Sequence, residues 1–195
     1  MNTKLFAAVA VALAAVASPA AADDDAGVAP PKSPPRLHLD AEVDPTAYVL
    51  SGYSGHLGLG IDRFRLDLGG YAMAVPQFVH GNDGYDVRFD GLGAKLQYFV
   101  FAAPSEPKGL FVGVDGGVTR IHSTLRGTSL SETQALPGVG AHVGYRFALP
   151  LGFYATPWIG VGYAFGGHDV TMNGATFHAS PVTVFPAVHL GYHFI

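Results

Sequence analysis

The chain has 195 residues, carries a formal net charge of −4 and contains no cysteine. The missing cysteine excludes a disulfide-stapled domain, a thiolate metal site and a cysteine nucleophile. Only 13% of residues are charged, well below the roughly 25% of an ordinary soluble domain, and no basic stripe marks nucleic acid as a partner.

In chain order, the first stretch reads MNTKLFAAVAVALAAVASPAAADDD. Lys4, the apolar run Leu5 to Val16 and the small residues Ser18 to Ala22 have the layout of a secretory signal peptide. The run is too short for a spanning helix, so residues 1–22 are expected to be a cleaved signal. Residues 23–35 (DDDAGVAPPKSPP) have no apolar face to bury and are expected to form a flexible lead-in.

From residue 36 to 195 the chain repeats a period of two between turn residues. Leu37, Leu39, Ala41 and Val43 alternate with His38, Asp40 and Glu42, and Asp44-Pro45 marks a turn. Ala47 to Ile61 sets Val49, Tyr53, Leu57 and Leu59 against Ser54 and His56. After Asp62-Arg63, Phe64, Leu66 and Leu68 oppose Arg65 and Asp67, and the loop VPQFVHGNDGYD follows. Leu92 to Val100 alternates with Gly93, Lys95 and Gln97. The APSEPKG connection leads to Leu110 to Thr119, which carries Asp115, and RGTSLSE is the next loop. Val139 to Phe147 faces away from His142 and Arg146, and Phe153 to Phe165 away from Tyr154, Thr156 and Trp158. Asn173-Gly174, a strong hairpin signal, precedes the last segment, from Ala175 to the end.

Strict alternation repeated this often predicts strands. Many segments reach the roughly 9–11 residues with which a tilted strand crosses a bilayer. The non-apolar phase decides which face is outside. It is glycine, alanine, serine and threonine with sparse charges of both signs, which suits the narrow interior of a small barrel better than a wet surface. The expected fold is all-β: an eight-stranded antiparallel up-and-down transmembrane β-barrel. Tyr53, Tyr98, Tyr145, Phe147, Tyr163, Phe165, Tyr192 and Phe194 fit aromatic girdles at the two interfaces.

The ending PAVHLGYHFI carries a family resemblance. Phe194, Tyr192, Leu190, Val188 and Pro186 resemble the terminal signature of small Gram-negative outer-membrane β-barrels of the OmpA/OmpX/OmpW pattern. The chain departs in ending on Ile195 and in having a proline at Pro186, around which, as near Pro181, local irregularity is expected. The resemblance implies an outer-membrane location and recognition of Tyr192 and Phe194 by the barrel-assembly machinery. It also implies a periplasmic C-terminus, with the Asp62-Arg63, APSEPKG and ALPLG connections on the periplasmic side. A monomer in contact with outer-membrane lipids and lipopolysaccharide is expected.

His56, Arg65, Asp67, Lys95, Asp115, His142, Arg146, His189 and His193 share the lumen phase. The charges are expected to pair across the lumen and the histidines to be hydrogen-bonded filler. His178-Ala179-Ser180, placed on the outer half of the last strand, is similar to the membrane-facing His-x-Ser pair of outer-membrane lipid A deacylases. In such a pair serine attacks an ester, histidine removes its proton and a carboxylate orients the histidine. The surrounding residues do not match that family. His122-Ser123 beside Arg120 reads as a strand rim. His80, Asp83 and Asp86 lack calcium-loop spacing and read as a surface turn. No cofactor fingerprint is present. The expected role is a non-catalytic structural or interaction barrel. A narrow porin-like pore for small or hydrophobic solutes and a lipid A-modifying esterase stand as the alternatives.

Overall fold

The structure is a computed structural model that describes residues 37–101 and 108–194. The expected signal, the lead-in, most of the APSEPKG connection and Ile195 lie outside the described residues. Eight strands close a barrel: β1 (Leu37–Val43), β2 (Tyr53–Ile61), β3 (Phe64–Val75), β4 (Tyr85–Phe99), β5 (Gly109–Leu125), β6 (Ser131–Ala148), β7 (Phe153–Ala164) and β10 (Val182–His193). Each pairs antiparallel with its neighbour in sequence, and β10 returns to pair with β1. Two short strands, β8 (Val170–Met172) and β9 (Ala175–Phe177), form a separate hairpin. Asn173 and Gly174 join them with φ of 46° and 81°, the left-handed pair that a tight two-residue hairpin turn requires.

The burial pattern is inverted relative to a soluble protein. Arg65 is 1% exposed and Leu57, three register pairs away on the other face, is 64% exposed. Leu59, Leu66, Leu68, Leu92, Leu96, Val114, Val139, Val143, Ile159 and Leu190 are likewise exposed. No described residue covers this belt. An apolar band of this extent around a barrel with polar filling is the surface a bilayer covers. Below the belt, Phe64 stacks near Tyr98, Tyr145 near Phe147, and Phe153 and Phe194 near Tyr192. Tyr53, Tyr163 and Phe165 are exposed at the opposite end.

The lower end of the barrel carries the Asp62-Arg63 turn and the chain's last described residues; the upper end carries the connections after β1, β3, β5 and β7. Four sequence expectations change at the upper end. The segment expected to begin a strand at Ala47 is instead a short helix, α1 (Pro45–Val49). Asp44 caps it by accepting from the Thr46 amide at 2.9 Å, and Pro45 opens its first turn, so start signals outweigh the Ala47/Val49 alternation. The loop after β3 is shorter than its composition suggested: a single turn, α2 (Gln77–His80), precedes β4, which already includes Tyr85 and Asp86. β5 and β6 continue to Leu125 and from Ser131, with only Arg126 to Leu130 between them. Finally, Ala175 to Phe177 belongs to the hairpin, and the closing strand begins at Val182, directly after Pro181.

Candidate functional site

β1 and β3 are separated in the barrel by β2, and both turn alternate residues inward. Their inward side chains therefore meet in the lower lumen with those of β4, β6, β7 and β10. Arg65 donates from Nε to Asp40 Oδ1 and Oδ2 at 3.2 and 3.0 Å, and from Nη2 to Oδ1 at 2.5 Å. Its Nη1 donates to Gln97 at 2.9 Å, and Nη2 also lies 3.0 Å from Asp67 Oδ2 and 3.4 Å from Glu42. Arg146 lies 3.3 Å from Asp40 and 3.5 Å from Glu42, and its guanidinium covers the Tyr154 ring at 4.0 Å. The Tyr154 hydroxyl donates to Asp40 Oδ1 at 2.8 Å. All of these groups are buried. Two arginines and three carboxylates, with Lys95 close to Asp67 as the third cation, thus pair with one another and with an amide and a phenol in a volume that eight strands leave barely wide enough for side chains.

A layer of histidine–carboxylate pairs sits above. His56 Nδ1 is 2.9 Å from Asp67, His189 Nδ1 is 2.9 Å from Glu42, and His142 Nδ1 is 3.0 Å from Asp115. The His56 and His189 rings are 4.9 Å apart. Lys95 Nζ is 3.6 Å from Asp67 and 5.0 Å from the centre of the Trp158 ring. His193 packs its ring 5.3 Å from that of His38 at the lower rim. Of the nine residues named from sequence, His56, Arg65, Asp67, His142, Arg146 and His189 are buried and Lys95, Asp115 and His193 are half-buried. Asp40, Glu42, Gln97 and Tyr154 belong with them and were not singled out, although the alternation of β1, β4 and β7 already placed them on the inward face.

The His178 and Ser180 reading requires correction in placement. They precede β10 and do not lie on it, because Pro181 cannot donate to a ladder. Asp169 does meet His178, Oδ2 to Nδ1 at 2.7 Å, and accepts from the Ala179 amide at 3.0 Å. These bonds hold the Asp169 carboxyl below its usual pKa. The Ser180 hydroxyl instead donates to the Val182 carbonyl at 2.8 Å. The orienting carboxylate is present, but the serine is not aligned with the histidine.

His80, Asp83 and Asp86 are each engaged elsewhere. His80 Nδ1 accepts from the Asn82 amide, Asp83 pairs with Gln77, and Asp86 with Arg126. Among the described residues no cluster of three metal-type ligands forms. On the outer surface, His122 bridges Asp90 and Thr133, from neighbouring strands, and Arg120 also pairs with Asp90. Sequence spacing could not reveal this row, because it depends on the β4–β5–β6 register. Its position is the first polar tier above the leucine and valine belt.

Solved structures resemble this arrangement. Neisserial surface protein A (NspA) matches with a TM-score of 0.51 and 15% identity, over 81% of this chain and 96% of that one. The chain has the fold of an eight-stranded outer-membrane β-barrel. The N-terminal β-barrel domain of Pseudomonas aeruginosa OprF is also similar, with a TM-score of 0.45, 15% identity and the same coverages. No family model and no curated protein matches the sequence. At this identity the likeness speaks to the barrel's fold alone.

Proposed function

We propose that the protein is a monomeric integral barrel of the outer membrane, non-catalytic, with a structural and interaction role exercised at its upper rim. The observation that carries this reading is the lower lumen, filled by the buried Asp40–Arg65–Glu42–Arg146–Tyr154 network. A barrel filled in this way has no room for a through-going solute path, which disfavours the pore. The engaged Ser180 hydroxyl disfavours the esterase. At the upper rim, Arg88, Arg120 and Arg126 are exposed just above the apolar belt, where the phosphate groups of lipopolysaccharide lie. Arginine is the side chain best suited to hold phosphate bidentately. Tyr192 and Phe194 serve, in this reading, as the assembly signal, with the lower end in the periplasm.

The test is fractionation followed by binding. The protein should sediment with outer membranes, resist extraction by urea and migrate faster on a gel unheated than boiled. Reconstituted barrel should bind lipopolysaccharide, and the Arg88→Ala/Arg120→Ala double variant should bind it several-fold more weakly. A protein recovered in the soluble periplasmic fraction would refute the membrane reading. Equal binding by the double variant would refute the proposed contact.

A further inference from the structure

Above the Lys95–Trp158 level the lumen is not filled. The inward positions there include Gly93, Gly117, Gly138, Gly160 and Gly162, and a cavity of about 410 Å³ remains, within the range of small-molecule sites. Its wall is apolar, formed by Met73, Phe89, Ile121, Leu136 and Phe177. Its floor is polar and includes Lys95, His56 and Asp115 beside Trp158. Asp115 is engaged by His142. Lys95 keeps only a long 3.6 Å approach to Asp67, well beyond the roughly 2.7–2.9 Å of a strong charge-assisted bond. The indole N–H of Trp158 is buried without a hydrogen-bond partner among the described residues. Donors are thus in surplus on the floor.

The bottom of this cavity is closed and its top is partly covered. Below lies the ionic network. Above, the β8–β9 hairpin folds inward, burying Met172 and Phe177 against Tyr85, Val87 and Leu125. Asn82 exchanges hydrogen bonds with the His178 amide and carbonyl at 2.7 and 3.2 Å, and Tyr85 donates to the Ala175 carbonyl at 2.9 Å.

The ladder of the side wall is discontinuous, and α1 packs beside β10 at the break with Ala47 buried. β10 pairs with β7 from Tyr192 up to Val182, but with β1 only from His193 to Leu190. The β1–β2 ladder likewise stops at Glu42 and His56, leaving Tyr53 to Gly55 beyond it. The Ala164 amide bonds to the Pro181 carbonyl, and the Phe194 amide to the Leu39 carbonyl. Odd-numbered residues of β10 therefore bond toward β7 and even-numbered ones toward β1. Val184, Pro186 and Val188 direct their backbone to the side where no strand follows. Pro186 has no N–H to leave unpaired there. Cavity-lining residues occur on both flanks of this break: Asp44 and Ser54 on one, Val182 to Phe185 on the other.

The geometry points to a lipid-accessible binding site for one fatty acid: its acyl chain occupies the upper lumen, its carboxylate lies at Lys95, and it enters between β10 and α1. The inference rests on the membrane placement proposed above. The wall break is the route that faces the bilayer. The apolar wall selects the chain, and the ammonium selects a single anionic head over the bulky head of a phospholipid.

Trp158 is the chain's sole tryptophan and sits on the cavity floor, so it reports occupancy directly. Full-length protein in phosphatidylcholine vesicles is titrated with a brominated stearic acid. Saturable quenching of Trp158, reversed by ordinary stearic acid and weaker with a brominated alkanol, is the expected result. Lys95→Met should raise the half-saturating concentration about tenfold, as loss of a hydrogen bond to a charged group would. Gly162→Leu, where an added Cβ meets only the Val139 carbonyl at 3.7 Å, should fill the cavity and abolish saturation. A Cβ at Gly55 meets nothing within 4 Å, so Gly55→Phe should slow quenching while keeping its plateau. Non-saturable quenching, or quenching equal to that by brominated phosphatidylcholine, would overturn the site. An unchanged rate in Gly55→Phe would overturn the lateral route. Gel heat-modifiability, scored on every variant, separates these outcomes from failure of the barrel to fold or insert.

Discussion

Asp40 and Arg65 meet at 2.5 Å inside the barrel although 25 residues of chain separate them. Asp40 also accepts from Tyr154 and faces Arg146, so one carboxylate joins β1, β3, β6 and β7. Removing it leaves two buried guanidinium groups short of a counter-charge. Asp40→Ala is expected to cost about 3–5 kcal/mol, the usual penalty for breaking a buried pair. Urea unfolding of vesicle-inserted barrel, read by the heat-modifiable gel shift, measures it. A cost under about 1 kcal/mol would mean the network is hydrated and not neutralised from within.

The same cluster constrains the glycines around it. A Cβ on Gly58 would collide with the Asp40 carboxylate and the Arg65 guanidinium, whereas one on Gly162 makes only ordinary contact. Gly58→Ala should therefore destabilise by about 1–3 kcal/mol through overpacking, with Gly162→Ala close to neutral. Equal unfolding midpoints for the two variants would argue that the lower lumen is loosely packed.

Much of this architecture is legible in the sequence, because alternation over nine or more residues fixes both the strand and its faces. Arg65, Asp67, Lys95, His142 and Arg146 can be assigned to one phase that way. What alternation does not encode is which strands stand next to each other inside the barrel. Asp40 looked like an ordinary polar position in the shortest strand of the barrel, and its central place comes from closure of β10 onto β1. The row Asp90–His122–Thr133 was hidden for the same reason. Misreadings cluster at the upper end. There an Asp44 cap turned an apparent strand into α1, and Pro181 took His178 and Ser180 out of the ladder. At such places local capping and a missing donor outweigh hydrophobic period.

Asn82 is the latch of the hairpin cap. Its side-chain oxygen accepts from the His178 amide, and its nitrogen donates to the His178 and His80 carbonyls. Asn82→Ala removes all three bonds and is expected to loosen the cap by about 1–3 kcal/mol while the barrel stays closed. Hydrogen exchange should speed up over residues 165–181 and remain unchanged in β4 to β6. Faster exchange throughout the barrel would show that the cap is part of the global fold and not a local unit.

Conductance distinguishes a plugged barrel from a pore. The guanidinium of Arg65 is bound by Asp40, Gln97 and Asp67, and that of Arg146 lies 4.0 Å from the Tyr154 ring and 5.3 Å from the Phe99 ring, so both arginines are held in the lumen by several partners. Wild-type protein in planar bilayers should show no steady ohmic conductance at neutral pH. His142→Ala, which removes a ring at mid-height but leaves the network below intact, should be equally silent. Arg65→Ala/Arg146→Ala empties the lower lumen and should conduct intermittently if the barrel still inserts. Steady single-channel currents from the wild type would mean that the network opens as a unit, and the structural reading would then give way to the pore.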